Sequence, residues 1–501
     1  MDLLLLTGMA VCVAGIPVSE NNPTLELSCE TLVPTRAGDT TLPGCADTSL
    51  SLSDCLTLPG ISPVSVYPSK YTGGGPLTSS LAPCVDRHCA GDSCAASHDE
   101  PCLDLGRPAV FRRGSFGGGW SVQAIEATLR ASPSPVQQWT VWQNTHPTCV
   151  GFYYESSASK VVRVPPSRPT PPALYEQLTL PAPDAVARVL SAPTNGTVAM
   201  VSMHVNEAFA DESLAAIVAD IARDFPLLDA GAARGDTDLN ANLWLSSDGA
   251  LTLPHYDTHA NLNAQVSGSK RWFLAPPDEG AADALGVHPF VSTRAGQART
   301  AFVPIDAGLH VVDTEPGDVL YIPPSWWHSV QTRGGPAVNV NAWSRTTADD
   351  ASDAMSQTLM GGGQPTAEHF IAVAVATVNA MGSDERTAVG RRIELRYRGY
   401  PGVPPLLVLG TSDKPGASTT SLASSDVCVK RRIPHESRAA SAGASIVASV
   451  STLDREARVA WLASALEVIT TSALQLDGSD VAAHTVLQTM DSCLFSRKTL
   501  K

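Results

Sequence analysis

Positive charge is scarce in this sequence. Across 501 residues there are 34 Lys and Arg against 49 Asp and Glu, a formal charge of −15. A surface of that sign does not meet a phosphate backbone, so no nucleic-acid partner is expected, while a protein or peptide substrate stays open. Long apolar runs are also missing. The N-terminal stretch from Leu3 to Ile16 is too short to span a bilayer, and no stable membrane span is expected. Within the Cys- and His-rich stretch from Cys84 to Cys102 no C-x2-C or H-x3-H pair occurs, which removes the familiar spacing of a zinc finger there. No internal repeat points to a solenoid or propeller.

The length of the chain predicts more than one folded region. Residues 1–18 read as a signal peptide, with Ala14 and Gly15 near a cleavage site, although Asp2 stands where a positive charge is usual and no Lys or Arg precedes Arg36. The alternatives are a buried N-terminal segment or a misjudged start. Eleven cysteines are present; setting aside Cys12 in the leader leaves ten, seven of them between Cys29 and Cys102. That stretch, 19–102, is rich in Ser, Thr, Pro and Gly and poor in large apolar residues, so it reads as a loop-dominated segment stapled by disulfides. Zinc held by Cys84, His88, Cys89, Cys94, His98 and Cys102, or unpaired thiols, are the other readings. The disulfide reading, with the sequon at Asn195-Gly-Thr, places the protein in the secretory pathway, in the ER lumen or outside the cell; the alternative is cytoplasmic or nuclear.

From Gly106 the texture changes. Pro108 to Arg112 reads as a strand, Ser121 to Arg130 as a helix with Val122, Ile125 and Leu129 on one face, and Val136 to Trp142 as a strand. Pro165 to Pro172 is an extended connector, and Asp211 to Phe225 an amphipathic helix. Between Asn242 and Arg345, turn signals at Ser247-Asp-Gly, Ser267-Gly, Pro276-Pro, Pro316-Gly and Gly334-Gly-Pro divide the chain into short strands, the pattern of an antiparallel sandwich or barrel. Residues 346–501 read as a helical region, with helices at 351–360, 367–381 and 453–474 and a flexible linker near 410–425. Apolar stripes there offer a homodimer interface; packing against the barrel is the simpler use of them.

The chemistry concentrates in three residues. His255 and Asp257 lie two apart, on one face of a strand, and His328 follows His255 by 73 residues. Read alone, the first pair permits zinc, manganese, iron or nothing. His328 comes after Gly317, which permits a tight turn, a short apolar strand from Val319 to Ile322, and Pro323-Pro324, which stop a helix and start a new strand. Two imidazoles and a carboxylate on one face of an ion, with the other face open, suit non-haem Fe(II).

Residues 103–345 resemble the JmjC, or cupin-like, branch of the Fe(II)- and 2-oxoglutarate-dependent oxygenases, nearest to the asparaginyl-hydroxylase-like group. Three blocks carry the likeness: Leu251-Thr-Leu-Pro-His-Tyr-Asp with Asn261 to Trp272, Glu315 to His328, and Val338-Asn-Val-Asn-Ala-Trp. The resemblance implies a mainly β fold, a double-stranded β-helix of the jelly-roll type with flanking helices. It implies Fe(II) held by His255, Asp257 and His328, and 2-oxoglutarate as cosubstrate, with Lys270 on its distal carboxylate and Thr252, Asn261 and Asn341 hydrogen-bonded to it. It also implies a helical dimerisation region after the barrel and no catalytic residue beyond the metal and cosubstrate ligands. His259 becomes a hydrogen-bonding neighbour, and Trp272 and Trp343 core residues. Two departures stand out: no Tyr lies between Tyr175 and Tyr256 to fill a cosubstrate-binding role, and Leu262 and Asn263 occupy positions where the group has aromatics. Side-chain hydroxylation of a protein or peptide is the activity implied. N-methyl-lysine demethylation, or a silent cupin module that retains metal without turnover, are the alternatives.

Overall fold

The computed structural model describes residues 62–67, 107–112, 119–152, 175–204, 241–344, 366–397 and 436–477, less a few short gaps, with some isolated positions besides. The leader, every cysteine, His259 and the linker near 410–425 lie outside the described residues. So does the helix expected at 211–225, except Leu214, which is buried.

Among the described residues, thirteen strands form one hydrogen-bonded network. They are β1 (Ser62–Pro63), β2 (Ser65–Tyr67), β3 (Ala109–Phe111), β4 (Gln138–Asn144), β5 (Gly151–Phe152), β6 (Glu176–Pro181), β7 (Val198–His204), β8 (Ala241–Ser246), β9 (Leu251–Tyr256), β10 (Ala260–Ala275), β11 (His310–Thr314), β12 (Val319–Ile322) and β13 (Trp327–Ser344). The long β10 and β13 pair antiparallel along their whole length and belong to two sheets at once. The first half of β10 takes β12 as its other neighbour, and its second half takes β11. Likewise β13 pairs with β9 near its start and with β8 near its end. One sheet runs β2-β3-β12-β10-β13-β8-β7-β4-β6, the other β1-β11-β10-β13-β9-β5, which is the jelly-roll arrangement expected.

The sequence divided this region into short strands; instead β10 has 16 residues and β13 has 18. The turn signals at Ser267-Gly268 and Gly334-Gly335 are bends inside these strands rather than their ends. Register shifts fall between Gln265 and Ser269, where Gly268 has φ +68° and a Cβ would lie 2.5 Å from the Pro336 carbonyl oxygen. Only glycine permits both the dihedral and the close approach, so the strand folds over from one sheet to the other there.

Helix α1 (Val122–Ala131) starts where Ser121 caps it, the Ser121 hydroxyl accepting from Ala124 N–H at 3.1 Å. It buries Val122, Ile125 and Leu129, as the spacing predicts, beside Val186 and Val189 of α2 (Ala182–Ser191) and against Leu243, Leu262 and Val340 of the sheet. A short α3 (Glu279–Leu285) covers the other sheet around Phe273. Among the described residues the C-terminal region holds α4 (Ala367–Ala380), α5 (Ser383–Tyr397), α6 (Glu436–Ser449) and α7 (Arg455–Asp477) around Phe370, Val373, Ile446, Leu462 and Leu466. None of these described helices is long and apolar enough to cross a membrane.

The boundary between residues 102 and 103 needs correction. Ser62–Tyr67, assigned to the Cys-rich segment, supplies β1 and β2, which pair in parallel with β11 and β3. Segments of two and three residues carry too little periodicity to be read from sequence; the sheet edge gives them their hydrogen bonds.

Candidate metal centre

His255 and His328 face each other directly, since β9 and β13 pair with His255 opposite His328. Their rings lie 4.2 Å apart, centre to centre. Asp257 follows the end of β9, and one ligand atom from each of the three residues lies within 4.8 Å of the others. This is the constellation that the spacing of His255 and Asp257 anticipated, completed by a residue far along the chain.

Backbone features aim these side chains. Between the pairs His328–His255 and Val330–Thr252, the single residue Ser329 of β13 faces two of β9, so β9 bulges at Leu253-Pro254. Proline suits that place because it has no N–H to lose from the ladder. Cross-strand partners share a face, so the bulge brings Thr252 round to the face of His255. On the other side, the Trp326 N–H donates to the Pro323 carbonyl at 3.3 Å, closing a turn whose third residue, Ser325, has φ +64°. Glycine or asparagine is usual at that position. The buried Ser325 N–H in turn donates to the Asp257 carbonyl at 2.7 Å, tying the turn before His328 to the backbone of the carboxylate.

The outer contacts prepare the ligands. His255 Nδ1 donates to the Leu253 carbonyl at 2.7 Å and His328 Nδ1 to the Trp326 carbonyl at 3.1 Å, which leaves each Nε2 for an ion. His328 Nε2 stands 3.6 Å from Asp257 Oδ2. Burial, with His328 nearby, pushes His255 down to about 4, partly offset by Asp257, so it is neutral at pH 7 as a ligand must be. Asp257 Oδ2 accepts from Asn261 Nδ2 and from Trp343 Nε1, each at 3.0 Å. The donor set fits a divalent cation: two imidazole nitrogens and a carboxylate oxygen converge, each steadied by a hydrogen bond.

Behind the triad runs a row of amides. Asn341 and Asn263 both donate to Asn261 Oδ1, at 3.2 and 3.3 Å. Asn339 Nδ2 donates to Asn263 Oδ1, and Lys270 Nζ donates to Asn339 Oδ1. All five residues are buried. Burial pulls Lys270 down to about 7, with no carboxylate among the described residues acting against it. Thus Lys270, Asn261 and Asn341 meet on one connected network. Thr252 stands apart from it: its hydroxyl accepts the Val330 N–H at 3.1 Å, and no contact joins it to the amides.

Sequence reasoning missed Asn263, Asn339 and Trp343. Trp343 reads as core but is only half-buried and donates to the triad carboxylate. Asn263 and Asn339 were legible in principle, because Asn261-x-Asn263 and Asn339-x-Asn341 each repeat an amide at the strand period inside apolar strands. Trp272 is buried among Leu274, Leu320 and Ile322, as expected of core, and Trp326 and Trp327 lie buried in different clusters.

Residues 183–350 match the family model described as a cupin-like domain. The chain is 30% identical over 133 residues to HSPB1-associated protein 1 homolog of Danio rerio, covering 24% of this chain and 30% of that protein. It is 35% identical over 119 residues to Jumonji C domain-containing protein 5 of Drosophila melanogaster, covering 22% and 28%. With tRNA wybutosine-synthesizing protein 4 of Neurospora crassa it shares 31% identity over 134 residues, 25% of this chain and 11% of that protein. The alignments therefore span under a third of the length of these curated relatives. Residues 183–350 are thus similar to the cupin-like domain family, and the relatives that share this stretch include one named for its Jumonji C domain.

Proposed function

We propose that the protein is an Fe(II)- and 2-oxoglutarate-dependent oxygenase that hydroxylates a side chain of a protein or peptide. The observation that carries this reading is Lys270: a buried ammonium whose hydrogen-bond partner is a neutral amide, on a network that ends at a His-Asp-His triad. A buried cation without a countercharge is costly, and an anionic ligand relieves the cost. A dicarboxylate would answer both ends of the site, since Lys270 could take one carboxylate while His255, Asp257 and His328 would hold the metal ion for the other end.

When bound, Fe(II) with 2-oxoglutarate would supply the oxidising power, consuming dioxygen and yielding succinate and carbon dioxide as one oxygen atom enters the substrate. The chain's own part is to hold and orient. His255 and His328 keep their Nδ1 protons on backbone carbonyls and present Nε2. Asn261 and Trp343 hold Asp257 by one oxygen. Asn341, Asn263 and Asn339 space the cosubstrate end of the site and steady Lys270, and the burial of these groups keeps water from competing for the anion. No side chain is needed as general base.

The choice of a protein or peptide over a nucleic acid rests on the charge of −15. The test is succinate formation from 2-oxoglutarate with Fe(II), in wild type and in His255→Ala, with and without candidate peptides. Turnover in wild type that His255→Ala abolishes is the expected result. Metal binding without turnover under any of these conditions would leave a binding module in its place.

A further inference from the structure

The face of β9 opposite the triad carries Tyr256, which sits in the chain between His255 and Asp257. Its hydroxyl lies 3.1 Å from Ser464 Oγ on α7 and accepts from Arg396 Nη2 of α5 at 3.2 Å. Arg396 also donates to Ser464, at 3.3 Å, and its Nη1 forms an ion pair with Glu467. Arg396, Ser464 and Glu467 are all buried. Ser464 and Glu467 are three residues apart, on one face of α7, and Arg392, one turn before Arg396 on α5, donates to the Pro277 carbonyl of the barrel.

Further contacts reach the other ligand and the edge of β9. The Tyr256 ring meets Trp327, the neighbour of His328, edge-on at 4.8 Å. Arg299 donates to the Arg396 carbonyl, while the adjacent Ala298 N–H donates to the Pro254 carbonyl at 2.8 Å and Gln297 bridges to His255. The C-terminal helices thus grip the strand that bears His255 and leads into Asp257.

We infer that the C-terminal helices set the geometry of the metal site, with Arg396 as the positioning residue acting through the Tyr256 hydroxyl. This rests on the reading of His255, Asp257 and His328 as metal ligands. A fixed Tyr256 fixes the backbone on both sides of it, so the His255 and Asp257 donor atoms stay together without an ion to hold them. Any event that shifts α5 against α7, such as binding of a partner to the helices, reaches the site by the same route.

The test is titration of the metal-free full chain with Co(II), followed by visible absorption. Wild type binds and His255→Ala does not. Tyr256→Phe, which keeps the ring, the Trp327 contact and the Arg396 and Glu467 pair, is expected to weaken Co(II) binding roughly tenfold and alter the absorption spectrum at unchanged helix content. Paired replacement Arg396→Met with Glu467→Met should reproduce that loss; if this variant does not fold, Tyr256→Phe decides alone. Wild-type affinity and spectrum in folded Tyr256→Phe overturn the inference while leaving the metal site intact. Absence of Co(II) binding in wild type overturns the metal reading itself, and the inference with it.

Discussion

Burial holds Lys270 near 7 in the folded chain, against an ordinary value of 10.5. Between those values the unfolded chain carries the extra proton, so the penalty is fully present below pH 7 and fades as pH rises through the window. Lys270→Met is therefore expected to raise the urea midpoint at pH 6 and to change it little at pH 10, while 2-oxoglutarate binding is lost. In wild type the bound dianion favours the ammonium form, so binding takes up a proton above about pH 7. Affinity for 2-oxoglutarate should then fall with rising pH, approaching roughly tenfold per unit, as calorimetry in buffers of different ionisation heat would record. At Ser325 the cost lies in the backbone. Its φ of +64° is poorly tolerated by a β-branched side chain, and Ser325→Val should lower the unfolding free energy by on the order of 1–3 kcal/mol, whereas Ser325→Gly keeps both stability and metal affinity close to wild type.

At the scale of elements, the paired strands β10 and β13 do two jobs. Their outward residues, among them Leu262, Ala264, Val338 and Val340, build the core beneath α1 and α2, while the alternate positions carry the amide row. One strand pair thus supplies core on one face and ligand chemistry on the other, which the period of two makes unavoidable. Asn339→Leu removes the acceptor of Lys270 and leaves Asn263 Oδ1 without its donor. It should weaken 2-oxoglutarate binding about tenfold with Co(II) affinity unchanged, a separation that parallel titrations would reveal. Failure of both ligands together would place Asn339 in the metal site instead. Where the strands bend, Gly268→Ala forces a Cβ against the Pro336 carbonyl at an unfavourable φ, and a loss of more than about 2 kcal/mol is expected in chemical unfolding.

At the scale of the whole molecule, buried polar and charged groups join the barrel to the C-terminal helices among the described residues. Arg396 and Glu467 are only 4% and 2% exposed in their side chains. Glu467→Gln leaves the guanidinium buried and uncompensated, and a loss of about 3–5 kcal/mol is expected by urea unfolding; replacing both partners with apolar residues of similar volume should restore much of it. These polar contacts seat the helices on their own barrel, while the apolar stripes pack against one another within the helical region. A homodimer through the same region stays a proposal, to be tested by sedimentation, and so does a secretory location, to be tested by counting thiols before and after reduction.

The sequence by itself determined the parts of this protein that rest on local pattern. His255 and Asp257 at strand spacing, the Pro323-Pro324 stop before His328, the Ser121 cap and the apolar face of α1 each follow from residues near one another in the chain. The family resemblance added Lys270, Asn261 and Asn341, and the fold places all three on one buried network. Helix α5 is hard to read from sequence because Arg392 and Arg396, satisfied by a distant carbonyl and Glu467, share its buried face with Val389 and Ile393, which dilutes the apolar stripe. For the same reason nothing in Tyr256, Arg396 or Ser464 alone marks them as partners. Only tertiary structure decided that β10 and β13 run unbroken through their glycines, that His328 lies opposite His255, and that the helices close on Tyr256. Those outcomes depend on contacts between residues far apart in sequence, where no local period carries the information.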